Sequence, residues 1–399
     1  MATSSLSSAR CRVADPWDRT AIVGIGQTEF SRASGRSELR LAVECVQSAL
    51  ADAGLDVDDV DGLCTFDLDS TDPNLIATVL GMPATTFLSR SAYGGGGGCA
   101  MVMSAAMAVI TGAADVVVAY RAMNERSGLR LGQVDDLFSR NGVFMSPASS
   151  FYTPYGIMSA AQRFAPNIAT YMHEYGVSNA DVAPVSVACR RHAAVNPAAH
   201  FYGAPISAAD HQASRWIIEP VLRLLDCCLE SDGGVALVIA SIERARHLRQ
   251  IPARLAGAAQ GMLPPMRNYY GDHIGRLDDM RVAASKLWQA SALRPEDIQT
   301  AVIYDHFAPM VLMQLEALGF CAPGEAKDFV AGGRIEIGGG LPINTHGGQL
   351  GEAYIHGMNG IAEAVRQVRG TSVNQVDDVE HVLVTAGTGV PTSGLILGR

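Results

Sequence analysis

The sequence predicts an α/β fold that repeats one plan of strands and helices in two halves. Apolar runs of strand length alternate with segments of helical periodicity, which is typical of layered α/β proteins. Residues 280–305 align without a gap on residues 42–67, and residues 251–262 are similar to residues 19–30. Two similar halves of this kind indicate an internal duplication.

The elements of the first half can be assigned in chain order. The apolar run at 19–30 predicts a buried strand. A helix is expected to begin after Ser37, a suitable N-cap, and to end at Gly54, because apolar residues recur between them at helical spacing. A second strand is predicted within 60–67, and residues 101–120 predict a helix of small residues followed by a strand.

The second half follows the same order and ends with a helix and a strand within residues 357–389. We therefore expect a flexible N-terminal tail at 1–19, an N-terminal half at 20–248 and a C-terminal half at 249–399. The first half is longer because residues from about 121 to 215 form an insertion rich in Met, Tyr and Phe. Such an insertion is expected to cover a site or an interface.

The composition of the 399 residues is that of a protein with a large buried core. Hydrophobic residues make up 48% and charged residues 18%, and the net charge is −10. An acidic chain is a poor ligand for nucleic acids and anionic membranes, so neither is expected as a partner, although a local basic patch would be compatible with the total. No apolar run reaches about 18 residues, which predicts no membrane span.

The cysteines and the N-terminal residues indicate the compartment. The first twenty residues lack the apolar centre of a secretory signal, so a cytoplasmic location is expected. The eight cysteines show neither a CxxC pair nor the spacing of a zinc site. They are therefore expected to be reduced thiols of the core, and no metal site is predicted.

The stretch SAYGGGGGCA, residues 91–100, holds five consecutive glycines. A Walker-type phosphate loop would continue with Lys and then Ser or Thr, but Gly98 is followed by Cys99 and Ala100. A run of glycines matches a dinucleotide fingerprint trivially, so that match is weak. The remaining interpretation is a helix N-terminus whose backbone passes close to a neighbouring helix, a second subunit or a ligand.

The duplicated plan and two further motifs resemble the thiolase superfamily over residues 20–399, and within it the sterol-carrier, or lipid-transfer-protein, branch. The stretch LDCCLESDGGVALVIAS at 225–241 is similar to that branch's stretch ending in Ser-Asp-Gly-Ala-Ala. The stretch SAAQRFAPNIATYMHEYGVS at 159–178 resembles the helix of its loop domain. The resemblance implies the thiolase fold, a duplicated five-layer α-β-α-β-α architecture with a loop-domain insertion.

The nucleophile of a thiolase is missing from this sequence. In the family a cysteine begins the central helix, which leads to a Gly-x-Ala-Asp-Val-Val strand. Counting back from Gly112 of the matching GAADVVV places that cysteine position at Gly95, four residues before Cys99. Acyl transfer through a cysteine thioester is therefore not expected, and Cys99 is predicted to be a core thiol.

The other catalytic positions of the family are also altered. The branch's His-Asp-Cys-Phe motif is replaced by Tyr304-Asp305-His306-Phe307. The family's Gly-His-Pro histidine lies ten residues after an asparagine, matched here by Asn344, and that count leads to Tyr354. The position of the second cysteine is Thr385. Two former catalytic positions thus carry tyrosine.

This pattern is similar to the thiolase-like aldolases of bacterial steroid side-chain breakdown, which work with a DUF35 (OB-fold) partner. The resemblance implies a retro-aldol cleavage of a β-hydroxyacyl-CoA, most directly a 17-hydroxy steroid with a three-carbon CoA side chain, giving a 17-ketosteroid and propionyl-CoA. It also implies a heterotetramer on a homodimeric thiolase core. CoA enters as part of the substrate and product, and no other cofactor is implied.

Retro-aldol cleavage needs a base for the hydroxyl proton, stabilisation of the departing enolate, and an acid that protonates the enolate carbon. Tyr304 and Tyr354 are the candidates for acid and base, and the sequence leaves open which takes which role. The possible assisting residues are His306 and His346. The candidates for the substrate pocket and the oxyanion site are Gly95 and Gly387.

Two alternatives stay open at this point. The chain could be a non-catalytic subunit that binds acyl-CoA or stabilises a DUF35 partner, because the thiolase catalytic residues are lost. It could also be a residual acyl-CoA thiolase or acyltransferase that uses another cysteine. The tyrosine pair argues against the first alternative, and the glycine at the nucleophile position argues against the second.

Overall fold

The structure is a computed structural model that describes residues 16–91, 94–128, 130, 153–263, 274–387 and 392–399. Most of the predicted N-terminal tail lies outside the described residues, as does a part of the predicted insertion. Within the described part of the chain, no helix is both long enough and apolar enough to cross a membrane.

The strands are β1 (Thr20–Gln27), β2 (Gly62–Phe66), β3 (Phe87–Ser91), β4 (Val116–Asn124), β5 (Trp216–Ile218), β6 (Leu222–Arg223), β7 (Asp232–Ser241), β8 (Ala253–Gly261), β9 (Thr300–Val302), β10 (His381–Ala386) and β11 (Thr392–Gly398). The helices are α1 (Glu38–Ala53), α2 (Pro73–Leu80), α3 (Gly98–Thr111), α4 (Ala160–Tyr175), α5 (Asn179–Val195), α6 (Ala208–Ala213), α7 (Ile242–Ala245), α8 (Asp278–Ser291), α9 (Ala308–Leu318), α10 (Ala326–Phe329), α11 (Gly348–Gly351) and α12 (Met358–Arg369).

The two halves share one four-stranded pattern, to which the first half adds β3. The strand order is β3-β2-β4-β7-β1 in the first half and β9-β10-β11-β8 in the second. Each half pairs its corresponding strands in the same order and direction, with β2 parallel to β4 and β9 parallel to β10. A short antiparallel pairing of β1 with β8 connects them. The predicted duplication is confirmed, and the predicted boundary at 248/249 falls between β7 and β8.

Helices cover the two half-sheets on the outside and fill the space between them. Helix α1 packs on β1, β4 and β7, and α8 packs on β8 and β11. Helices α3 and α12 each contact strands of both halves and form the middle layer. This is the five-layer α-β-α-β-α arrangement that the resemblance to thiolases implies.

Helix α1 begins after Ser37 and ends at Gly54, as the sequence predicts. The Ser37 hydroxyl accepts the Arg40 N–H at 3.2 Å, which satisfies one of the free donors of the first turn. Gly54 ends the helix with φ 74°, in the left-handed region that glycine adopts without strain. Gly26 of β1 lets the helix come close, because a Cβ there would overlap the α1 backbone.

The glycine run leads into the middle layer. Gly94–Gly97 form a 3-10 turn, and α3 begins at Gly98. Cys99 is fully buried, and burial raises the pKa of its thiol. Cys99 is therefore a core thiol, as the sequence predicts, and not an accessible nucleophile.

Candidate active site

The backbone of Tyr304 is fixed just beyond the end of β9. Its N–H donates to Thr385 Oγ1 at 2.9 Å, and its carbonyl oxygen accepts from Gln314 Nε2 at 2.7 Å. The Thr385 hydroxyl in turn donates to Gln314 Oε1 at 2.8 Å. The motif comparison predicts that Thr385 occupies the second cysteine position of the thiolases, and here its hydroxyl positions Tyr304.

Gly95 packs directly against the phenol of Tyr304. A Cβ atom at Gly95 would overlap the Tyr304 hydroxyl oxygen and would lie 2.5 Å from Cζ. On another side of the ring, a Cβ atom at Gly357 would lie 3.1 Å away. The sequence places Gly95 in a substrate pocket, whereas in the structure the space before Gly95 is filled by Tyr304. The missing side chain at Gly95 thus makes room for a tyrosine, and a role of Gly95 in the substrate pocket stays a prediction.

Tyr354 lies shortly after α11 and meets Tyr304 through its hydroxyl. Its backbone N–H donates to Ser231 Oγ at 3.2 Å. The Tyr304 hydroxyl donates to the Tyr354 hydroxyl across 3.3 Å. The structure thus brings together the two tyrosines that the motif comparison selects. Tyr304 is 3% exposed, whereas Tyr354 is half-buried and faces a cavity.

Both phenols are weaker acids here than in water. Burial raises the pKa of Tyr304 and that of Tyr354 well above the usual value of a tyrosine. The nearby Tyr304, Cys228 and Glu125 raise the pKa of Tyr354 further. Both hydroxyls therefore carry their protons at neutral pH, so they fit the role of proton donor better than that of base.

His306 lies beside Tyr304, as the alternation of side chains along an extended segment predicts. The two ring centroids are 5.1 Å apart. Burial lowers the pKa of His306 to about 3, so its imidazole is neutral. Asp305 is turned the other way, and its carboxylate accepts the N–H groups of Gln349 and Leu350 at 2.9 and 3.3 Å. His306 thus offers Tyr304 a ring contact and not a positive charge.

The structure does not bring His346 to the tyrosine pair. His346 is buried and lines a separate cavity of about 260 Å³, together with Asn196, Glu352 and Arg366. Its Nε2 lies 3.9 Å from Glu352 Oε2. Burial lowers the pKa of His346 to about 4, although the Glu352 carboxylate opposes this. An assisting role for His346 at the tyrosines therefore has no geometric support.

Gly387 lies where the second half meets the glycine run. It follows β10 with φ 56°, and a Cβ atom there would overlap the backbone of Gly96. Its carbonyl oxygen accepts from Thr392 Oγ1 at 2.7 Å. The loop is therefore packed against the residues that border Tyr304, and its role as an oxyanion donor stays a prediction.

Arg121 holds in place a histidine that packs on the ring of Tyr354. This buried side chain forms an ion pair with Asp69, and its Nε donates to His356 Nδ1 at 3.1 Å. Burial and the Arg121 charge lower the pKa of His356 well below its ordinary value, so His356 is a neutral acceptor. The His356 ring lies 5.0 Å from that of Tyr354. The guanidinium thus positions the histidine that packs on the tyrosine.

A cavity of about 510 Å³ opens beside Tyr354. Its charged lining consists of Arg32, Arg126, Arg130, Arg190, Glu125 and Glu230. Its apolar wall consists of Ala160, Ala161, Phe201, Ile217, Leu224, Leu225, Leu229, Phe307 and Leu350. Several of these residues belong to the predicted insertion, so the described part of the insertion covers the site, as expected.

Sequence reasoning missed the charged residues of this cavity. The arginines come from distant parts of the chain and converge only through folding. Glu125 directly follows β4 and is 5% exposed. Burial raises the pKa of Glu125 well above that of an ordinary carboxyl, Glu230 adds to the effect, and Arg121 opposes it. A carboxylate at the end of a buried strand is the sequence signal by which Glu125 could have been found.

Cys227 and Cys228 are the thiols that line the cavity within the described residues. Burial raises the pKa of Cys227 to about 12 and that of Cys228 well above the usual value. A thiolase needs a thiolate, and a thiol of this acidity supplies almost none at neutral pH. The cavity therefore gives no support to a residual thiolase.

Comparisons with known proteins agree with this geometry. The chain is 59% identical over 383 residues to the 17-hydroxy-3-oxo-4-pregnene-20-carboxyl-CoA lyase of Mycobacterium tuberculosis. The alignment covers 95% of this chain and 99% of that protein. This chain belongs to the thiolase-like aldolase family. A second member of the aldolase family, the steroid side-chain-cleaving aldolase of Thermomonospora curvata, is 58% identical over 95% of this chain and 97% of that protein.

Structural comparison places this aldolase in the same family. The solved Ltp2-ChsH2(DUF35) aldolase is 56% identical and superimposes with a TM-score of 0.92, covering 97% of this chain and 99% of that chain. Residues 272–399 match the family model described as thiolase C-terminal domain-like. Human mitochondrial 3-ketoacyl-CoA thiolase, at 12% identity and a TM-score of 0.68, shares the fold alone. The predictions of a thiolase fold and of a retro-aldol lyase are confirmed.

Proposed function

We propose that this aldolase cleaves a β-hydroxyacyl-CoA thioester of a steroid, most directly a 17-hydroxy steroid with a three-carbon side chain, and releases a 17-ketosteroid and propionyl-CoA. The observation that carries the proposal is the pair of tyrosine hydroxyls, 3.3 Å apart, of which that of Tyr354 belongs to a residue lining the cavity. The 59% identity to a lyase named for such a thioester supports the same substrate class.

The cavity suits the two unlike ends of such a substrate. Its volume of about 510 Å³ lies within the usual range for small-molecule sites. The apolar wall offers contacts for a ring system. The arginine side chains of Arg32, Arg126, Arg130 and Arg190 match the phosphates of CoA, because guanidinium groups bind phosphate through paired donors.

The tyrosine pair supplies protons in the proposed reaction. Tyr354 faces the cavity, and Tyr304 stands behind it and donates to its hydroxyl. When the carbon–carbon bond breaks, the electron pair moves onto the acyl-CoA as an enolate. Tyr354 then protonates the enolate carbon, which completes propionyl-CoA, and Tyr304 stabilises the phenolate that is left.

We also propose a DUF35 partner, bound to a homodimer of this chain in a heterotetramer. The related solved structure is an aldolase with a ChsH2(DUF35) component. Strand β3 forms one edge of the sheet, and the apolar side chains Leu75, Val79, Leu88 and Met107 are about half exposed. An exposed edge strand with apolar neighbours favours pairing with a second chain. The free cysteines and the CoA chemistry fit a cytoplasmic enzyme.

One experiment tests the function directly. The purified chain, alone and co-expressed with a DUF35 protein, is incubated with the steroid β-hydroxyacyl-CoA, and the release of ketone and propionyl-CoA is followed by chromatography. We expect stoichiometric formation of both products. A complex that binds the thioester but releases neither product would instead identify a non-catalytic subunit.

A further inference from the structure

The described cavity contains a carboxyl group that the tyrosine chemistry does not use. Glu125 lines the cavity together with Tyr354, and its side chain is almost fully buried. Its Oε2 atom has no hydrogen-bond partner among the residues that the structure describes. A buried carboxyl oxygen without a partner is costly, so its persistence at the wall of a cavity points to a partner that arrives with the substrate.

The charges around Glu125 set its proton affinity. Burial raises its pKa, and this effect is larger than that of any neighbour. The charged and titratable groups near it are Arg121, Arg130, Glu230, Asp232, Cys228, Tyr304 and Tyr354. The two acidic residues raise its pKa further, and the two arginines lower it. Glu125 therefore holds a proton more tightly than an ordinary carboxyl, so its carboxylate is the stronger base when it is ionised.

The other groups near the cavity are poorly suited to accept a proton; in His200, which also lines it, the Nε2 atom already accepts a hydrogen bond from an arginine at 3.0 Å. Both tyrosine hydroxyls and both cavity thiols hold their protons at neutral pH, as described above. His306 is a very weak base, with a pKa of about 3. Glu230 is engaged by Arg130 at 2.5 Å. Asp305 accepts two backbone N–H groups and is not among the lining residues.

We infer that Glu125 is the general base of the cleavage and takes the proton of the substrate hydroxyl. This assignment rests on the proposed function. The Glu125 carboxylate removes the hydroxyl proton, the carbinol oxygen forms the ketone, and the bond to the α-carbon of the acyl-CoA breaks. The electron pair passes to the enolate, which takes a proton from Tyr354. The proton on Glu125 then returns to the phenolate, so the enzyme ends as it began.

The test uses the complex of the full chain with its DUF35 partner. Glu125→Gln keeps the size of the side chain and removes its basicity. We expect kcat to fall by about 10²- to 10⁴-fold, while KM changes by less than about threefold because the other contacts remain. Glu125→Asp keeps a carboxylate and should recover part of the rate. The exposed Glu243→Gln is the matched control and should cleave at the wild-type rate.

A pH profile separates a base from a residue that only packs. In the wild type, kcat/KM should rise with pH as Glu125 loses its proton, and the residual activity of Glu125→Gln should lack that limb. Because burial disfavours the charged form, Glu125→Gln should melt at the same temperature as the wild type or higher. If it does not fold, the pH limb of Glu125→Asp, shifted but present, decides the question.

The outcomes distinguish this inference from the proposed function. A wild-type complex that fails to cleave the thioester refutes the function itself. A wild-type complex that cleaves, together with a folded Glu125→Gln of equal rate, refutes the base assignment alone. A slow Glu125→Gln with an unchanged pH limb would also refute it, because the titrating base would then be another group.

Discussion

The two tyrosine hydroxyls are the smallest part of the molecule on which the chemistry depends. Tyr304→Phe and Tyr354→Phe each delete one oxygen and leave the ring in place. If these hydroxyls handle the enolate proton, each variant should lose about 10²- to 10⁴-fold in kcat. Steady-state cleavage of the steroid thioester measures this loss, and the exposed Tyr202→Phe is the control.

The double variant, with both tyrosines replaced by phenylalanine, tests whether the two hydroxyls act in the same step. Losses at two hydroxyls that serve one step should not add, since a step that is already blocked cannot be slowed again to the same degree. Calorimetry with the thioester should show nearly unchanged binding. A double variant that cleaves at the wild-type rate would remove the tyrosines from the mechanism.

At the scale of the elements, the buried Arg121–Asp69 ion pair connects two strands of the first half near the site. Arg121 lies on β4, Asp69 follows β2, and the guanidinium also holds His356 before α12. Arg121→Met should leave Asp69 buried without its counter-charge and cost about 3–5 kcal/mol in unfolding free energy. Urea denaturation measures this cost.

An exposed ion pair serves as the control for the stability loss expected in Arg121→Met. Arg40 pairs with Glu44 one turn along α1, at 2.7 Å. Arg40→Met should cost less than about 1 kcal/mol, because an exposed pair gains little over its hydrated charges. Equal losses in the two variants would mean that Arg121 contributes no more than a surface arginine.

The protein as a whole should lose stability in mild acid because several histidines are buried in the neutral form. The pKa of His306 is lowered to about 3 and that of His346 to about 4, against about 6.5 in an unfolded chain. Their stabilising effect is complete above pH 6.5 or so and is lost as the pH falls, because the unfolded chain then binds the protons that the fold excludes. Each such histidine contributes a slope of up to about 1.4 kcal/mol per pH unit.

Urea unfolding at pH 7 and at pH 5 measures this slope. His346→Gln should make the unfolding free energy less dependent on pH, and the exposed His247→Gln serves as the matched control. An unchanged slope in His346→Gln would show that this imidazole does not resist protonation in the fold.

The exposed edge strand β3 predicts that two copies of this chain pair into a homodimer. We expect light scattering to report a homodimer at minimum. Leu88→Lys places a charge on this edge strand, where Leu88 is 50% exposed, and should shift the protein towards a monomer. Val195→Lys, on a similarly exposed residue of α5, should leave the dimer intact. A wild-type chain that is monomeric and fully active would refute this interface.

The sequence predicts the fold and selects two tyrosines that prove to be in contact, for identifiable reasons. The gapless match of residues 280–305 to residues 42–67 is the signal of the duplication. The numbers of residues that separate Gly95 from Gly112 and Tyr354 from Asn344 follow the family pattern, so counting from the two motif residues leads to both sites. Glu125 lies at a strand end with no motif around it, and only the burial created by folding makes it unusual. His346 lies eight residues before Tyr354 along the chain but lines a different cavity, which its position in the sequence does not reveal.

The contact between Gly95 and Tyr304 limits how this enzyme could have evolved from a thiolase, or could return to one. A cysteine at position 95 and the tyrosine at position 304 would occupy the same volume, so the two side chains do not fit together. Gly95→Cys alone should therefore abolish cleavage without creating acyl transfer. A change from one activity to the other therefore requires substitutions at both positions.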